Sequence, residues 1–182
     1  ALRLLGIGEG DEVIVPAYTY TASAEIVCHV GARLIFIDSQ PDSLEMDYDA
    51  VEKAITDKTK AIIPVDIGGV PCDYDRIFLI VEKKKGLFTP SNDIQSKFGR
   101  IIICADTAHA FGSTWHGKPI GSVADFSAFS FHAVKNFTTA EGGALTWKPR
   151  EELNDEEIYK QVQLYSLHGQ SKDALSKNQL GA

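Results

Sequence analysis

The chain reads as an α/β protein, with a mainly parallel mixed sheet sandwiched in three α/β/α layers. Three observations predict this. Residues 33–38 (RLIFID), 61–66 (AIIPVD) and 101–105 (IIICA) are apolar runs without period-two alternation, the pattern of strands covered on both faces. These runs alternate with helix-like stretches, as βα units do. With 182 residues, 44% hydrophobic and 24% charged, the chain can fill one sizeable core.

Taken in order, Glu9-Gly10-Asp11 is a turn into a first strand over residues 12–15, closed by Pro16. Segment 17–23 (AYTYTAS) leads into a helix over about residues 23–30, which Gly31 ends. Residues 33–38 form a strand. Residues 47–55 form a helix, with Val51, Ala54 and Ile55 on its apolar face and Asp47 or Asp49 near its cap. The strand at 61–66 is followed by the loop Ile67-Gly68-Gly69-Val70-Pro71. Paired glycines let backbone approach a ligand, and they serve equally well in a plain turn. Residues 73–85 read as a helix with Ile77, Ile80 and Val81 on one face, and Lys83-Lys84-Lys85 as its solvated end. Residues 86–99 are polar and turn-rich, longer than a usual helix-to-strand connection: a lid, a contact surface or a simple insertion. Trp147 closes a late strand. Residues 151–165 read as a helix whose acidic first turns suit the helix dipole.

Chemistry concentrates in residues 101–145. The run 101–105 stops at Asp106, with His109 three residues on. The run 126–131 carries Ser130 and leads to Lys135, Asn136 and the turn Thr138-Thr139-Ala140-Glu141-Gly142-Gly143. A carboxylate at one strand end and a lysine beyond the next suit a cofactor held across the carboxyl edge of an α/β sheet. Pyridoxal phosphate needs this set: a lysine amine for its aldehyde and a buried carboxylate that keeps its ring nitrogen protonated. Lys135 and Asp106 fit those roles, with Ser130 as a phosphate donor and His109 against the ring or its phenolic oxygen. Each residue alone admits an ordinary role, as surface lysine, helix cap, structural histidine or strand serine. Their order on consecutive strand ends is what points to a site.

At these residues the chain resembles the DegT/DnrJ/EryC1/StrS family of sugar aminotransferases. The carrying motifs are D-T-A-H-A-F-G, G-S-V-A-D-F-S-A-F-S-F and K-N-F-T-T-A-E-G-G-A-L, with V-I-V-P-A-Y-T-Y-T-A-S-A and D-K-T-K-A-I-I-P-V upstream. The resemblance implies a pyridoxal-phosphate-dependent fold-type I large domain with a seven-stranded mixed sheet. It implies an amino group passed from glutamate or glutamine to a nucleotide-linked keto sugar. Tyr20 falls where family members place an aromatic ring that stacks on the pyridine face; by itself it could equally pack at the sheet edge. Ser166-Leu167-His168-Gly169 is similar to the family's H-G loop. Asp66 stands where family members commonly carry histidine, and no role is carried onto it.

Family members are about twice this length, so residues 1–182 are expected to form one partial large domain. An N-terminal segment with a phosphate-holding loop and a small C-terminal domain would lie outside it. Fold-type I enzymes usually build each site at a homodimer interface, and the resemblance extends that expectation here. The net charge of −7 argues against a nucleic-acid surface. The three cysteines, Cys28, Cys72 and Cys104, lack metal-ligand spacing and indicate a reducing compartment, so no metal and a cytoplasmic setting are expected. No apolar run approaches a membrane span. Two rivals stand beside the aminotransferase. One is a sugar dehydratase on the same scaffold, whose members replace the lysine with histidine; Lys135 speaks against it, and neighbouring His132 keeps it in view. The other is a truncated regulatory or interaction protein without cofactor.

Overall fold

The computed structural model describes residues 1–166. Its strands are β1 (Glu12–Pro16), β2 (Arg33–Ile37), β3 (Thr59–Ile62), β4 (Ile102–Asp106), the short pair β5 (Thr114–Trp115) and β6 (Lys118–Pro119), β7 (Phe126–Ser130) and β8 (Gly143–Trp147). Six of them form one sheet in the order β2-β1-β3-β4-β7-β8. The first five run parallel and β8 pairs antiparallel to β7. The resemblance implies seven strands; six are present among the described residues. The helices are α1 (Thr21–His29), α2 (Tyr48–Ala54), α3 (Tyr74–Lys83), α4 (Asp93–Phe98) and α5 (Asp155–Ser166).

Alternation along the central strands divides the core in two. Ile62, Ile103 and Ala105 point to the side covered by α2 and α3, where they meet Val51, Tyr74, Ile77 and Val81. Ala61, Ile102 and Cys104 point the other way, against Val27 of α1, Phe98 of α4 and the apolar residues Leu2, Leu5 and Ile7. Burial on both faces is why these strands read as unbroken apolar runs.

Apart from α1, the helix starts follow local cap chemistry. Asp47 accepts from the Asp49 and Ala50 amides, Asp73 from Arg76, and Asn154 from Glu156 and Glu157. Each side-chain oxygen satisfies amides that the first helical turn leaves free. That is why α5 begins at Asp155, four residues later than expected. The strand predicted over 61–66 is shorter and earlier, because Pro64 has no N–H for the ladder. Beyond it only Val65 bridges Asp106.

Segment 86–99 is no open loop. Asn92 caps α4 by accepting from Gln95, and Gly99 closes the helix in the left-handed region at φ 63. Asn92 and Gln95 both donate side-chain amides to the Leu5 carbonyl at 3.0 Å. None of residues 86–99 lines the main cavity. The segment seals the sheet's flank, and the lid reading is set aside.

Candidate active site

A cavity of about 1040 Å³ opens at the carboxyl edge of the sheet and runs beneath α1. Tyr20, Asp106, His109, Ser130 and Lys135 all line it. Strand geometry accounts for two of them. Asp106 follows Ile102 and Cys104 on one face of β4, and Ser130 follows Phe126 on the same face of β7, because side chains alternate with period two. Asp106 pairs with Ala128, so Ser130 projects two residues farther, roughly 7 Å along the strand. Thr107 ties the two tips together by donating both its amide and its hydroxyl to the Ala128 carbonyl, at 2.9 and 2.8 Å.

Asp106 is held from two sides. Its Oδ1 accepts from the Ala108 amide at 3.0 Å, and its Oδ2 from the Ser23 hydroxyl at 2.6 Å. Among the described residues no cationic group pairs with it, so the carboxylate faces the cavity with acceptor capacity left over.

His109 is oriented by the loop after β3. Its Nδ1 accepts from the Gly68 amide at 3.3 Å, so the neutral ring carries its proton on Nε2. Gly68 and Gly69 have φ values of 62 and 82, a region costly for any residue with a Cβ. A Cβ on Gly69 would also sit 3.0 Å from the His109 carbonyl.

Lys135 rides on a short loop braced by aromatic rings. Phe111 stacks on Phe137 at 4.9 Å and meets Phe131 edge-on at 5.4 Å, while Phe131 meets Phe137 at 5.2 Å. Asn136 donates to the Phe111 carbonyl at 2.8 Å. Thr139 closes the loop base by donating its amide to the Phe131 carbonyl. Ala140 takes φ 67 in the same turn, a strained value for a non-glycine residue and typical of constrained functional turns.

Beneath the edge lies a second acid. Asp66 is fully buried and accepts from the Cys72 amide at 2.9 Å and from the Tyr74 hydroxyl at 3.1 and 3.0 Å. Burial pushes its carboxyl up to about 6 against the pull of those hydrogen bonds, and the charge of Asp106 adds to the rise. Its bonds anchor the loop that carries Gly68, so Asp66 supports His109 from behind. Burial also lifts the Cys104 thiol, on the cavity wall, to about 12, which keeps it neutral and unreactive.

The five predicted residues are thus brought together. Sequence reading missed Ser23, Asp66 and the brace of Phe111, Phe131 and Phe137. The hydroxyl pair Thr19/Ser23 and the repeated phenylalanines around Lys135 were the available signals. The H-G loop expected at Ser166-Leu167-His168-Gly169 lies outside the described residues from 167 onward.

With this geometry in place, comparison with known proteins adds the following. Residues 1–182 match the model of the DegT/DnrJ/EryC1/StrS aminotransferase family. The spore coat polysaccharide biosynthesis protein SpsC of Bacillus subtilis (strain 168) is 40% identical over 177 residues, which cover 97% of this chain and 40% of SpsC. GDP-perosamine synthase of Escherichia coli O157:H7 is 40% identical over 159 residues, 87% of this chain and 38% of that protein. Among solved structures, the "putative sugar aminotransferase Spr1654" of Streptococcus pneumoniae, in its PLP form, superposes with a TM-score of 0.91 at 59% identity, covering 95% of this chain and 44% of that one. The chain therefore spans about two fifths of the length of the proteins it matches.

Proposed function

The chain belongs to the DegT/DnrJ/EryC1/StrS aminotransferase family, and on that premise we propose that it is the cofactor-binding part of a sugar aminotransferase. The amino group would pass from glutamate or glutamine to a nucleotide-linked keto sugar. The observation that carries this reading is the convergence of Lys135, Asp106, His109, Ser130 and Tyr20 on one cavity at the sheet's carboxyl edge. The sugar class draws support from the relatives, one of them a synthase of GDP-perosamine and another a protein of spore coat polysaccharide biosynthesis. Pyridoxal 5′-phosphate is the cofactor: Spr1654 is solved in both PLP and PMP forms.

The donor set fits that group. A carboxylate fixed by two neutral donors, with lone pairs to spare, suits a protonated ring nitrogen. Once bound, the cofactor supplies an aldehyde that links to amines and a ring that drains negative charge from the reacting carbon. Asp106 would hold the proton on the ring nitrogen. His109 would offer its Nε2–H to the phenolic oxygen, and Ser130 its hydroxyl to the phosphate. Tyr20 would cover the ring face and exclude water. Lys135 Nζ would anchor the aldehyde and, once displaced, take the proton from the amino donor's α carbon and return it on the other side of the transfer. Lysine at position 135 argues against the dehydratase alternative.

We place the protein in the cytoplasm, where its three free cysteines stay reduced. We also read it as a homodimer, since Tyr20, Val134 and Phe137 stand exposed beside the site and suit cover by a second subunit.

The test is spectroscopic. Wild-type protein mixed with pyridoxal phosphate should gain the absorbance of lysine-linked cofactor near the visible edge, and Lys135→Ala should lose it entirely along with turnover. Survival of that band in the variant, or its absence from folded wild type, removes the assignment.

A further inference from the structure

Ser23 lies within the upstream motif V-I-V-P-A-Y-T-Y-T-A-S-A but was given no role there, yet its side chain touches the acid on which the site depends. The residue is 2% exposed, and its hydroxyl donates to Asp106 Oδ2 over 2.6 Å across 83 positions of chain. A serine has one proton to give. With that proton on Asp106, the 2.9 Å contact to Thr19 Oγ1 must be donated by Thr19. The protons therefore run one way, from Thr19 to Ser23 to Asp106. Neither hydroxyl is used to cap α1, whose start has no side-chain cap bond. Both residues line the same cavity as Asp106.

The consequence is geometric. Asp106 has a donor on each oxygen, Ser23 on one and the Ala108 amide on the other. Rotation of the carboxylate about its last bond would break both contacts at once. We propose that Ser23, backed by Thr19, is a positioning residue: it fixes the plane of the Asp106 carboxylate so that a remaining lone pair meets the ring nitrogen of the bound cofactor. This rests on the pyridoxal phosphate reading above and adds to it the residue that orients the acid. Bonds to a charged acceptor are about twice as strong as neutral ones, so the loss is measurable.

The experiment titrates wild type, Ser23→Ala, Ser23→Thr and Thr19→Val with pyridoxal phosphate, pyridoxamine phosphate and 1-deazapyridoxal phosphate, whose ring lacks the nitrogen. Ser23→Ala should bind the two nitrogen-bearing compounds about tenfold more weakly. Its affinity for the deaza compound should match wild type. Ser23→Thr, which keeps the hydroxyl, should restore binding to within about threefold, and Thr19→Val should lose about two- to threefold. Unchanged affinity in folded Ser23→Ala overturns the proposal. Equal losses for all three compounds also overturn it, because a mere tie between α1 and β4 would not distinguish the ring atom. If Ser23→Ala does not fold, Thr19→Val decides, and wild-type affinity in that variant counts against the role. Wild type that takes up none of the compounds overturns the cofactor reading and the Ser23 role with it; uptake by wild type with no effect in the variants overturns the Ser23 role alone.

Discussion

The two ends of the sheet treat their acids differently. At the amino edge Asp125 is closed off. Arg100 grips it with two bonds of 2.8 Å and the Ile103 amide adds a third at 2.9 Å, and the residue is 2% exposed. At the carboxyl edge Asp106 receives, among the described residues, only neutral donors and faces a cavity. Asp66 lies between these cases, buried like Asp125 but, like Asp106, bonded by neutral groups. The contrast separates a structural carboxylate, which fills its lone pairs within the chain, from one left ready for a ligand's positive charge. Parallel sheets favour this division, because their loops converge at the carboxyl edge.

Three changes would break or sharpen the comparison. The largest effect is expected at the closed end. Asp125→Ala strands the Arg100 guanidinium, so urea unfolding should show a loss of about 3–5 kcal/mol. A loss below about 1 kcal/mol would mean that the pair is not a structural lock.

Asp66 should give the next largest effect, and its sign is informative. Its folded value of about 6 lies above the usual 3.8, so the folded chain holds this proton more tightly than the unfolded one. The resulting stabilisation is full below about pH 4 and disappears as pH rises through about 6, amounting to about 3 kcal/mol at most. Unfolding midpoints of wild type and Asp66→Asn measured from pH 4 to 7 should therefore diverge, with only wild type gaining this increment on acidification. Parallel curves would show that Asp66 is not the titrating group.

The open end should respond least in stability. Asp106→Asn is expected to shift unfolding by under about 1 kcal/mol, while uptake of pyridoxal phosphate weakens about a hundredfold through loss of its charged partner. A large stability loss with intact uptake would reverse the roles given to the two ends.

Much of this was legible in the chain. The Asp47 cap, the apolar strands and the polar residues at their ends are local signals, and the structure places them where those signals point. Asn92 and Gly99 were equally readable as the start and end of α4, but the turn-rich composition of 86–99 hid the helix between them. Asp66 was read only against a family pattern, and that gave it no role. Its importance comes from Tyr74 and Cys72, which burial brings onto it.

The sequence by itself determined which residue types stand at each strand tip and where most helices begin, because caps and periodicity act between neighbours a few positions apart. Only the tertiary structure decided that Ser23 meets Asp106, that Phe111 braces the loop of Lys135, and that Asn92 and Gln95 fasten α4 to Leu5. Such contacts join distant parts of the chain and depend on strand register and helix placement. A slip of one residue in β4 would turn Asp106 to the opposite face.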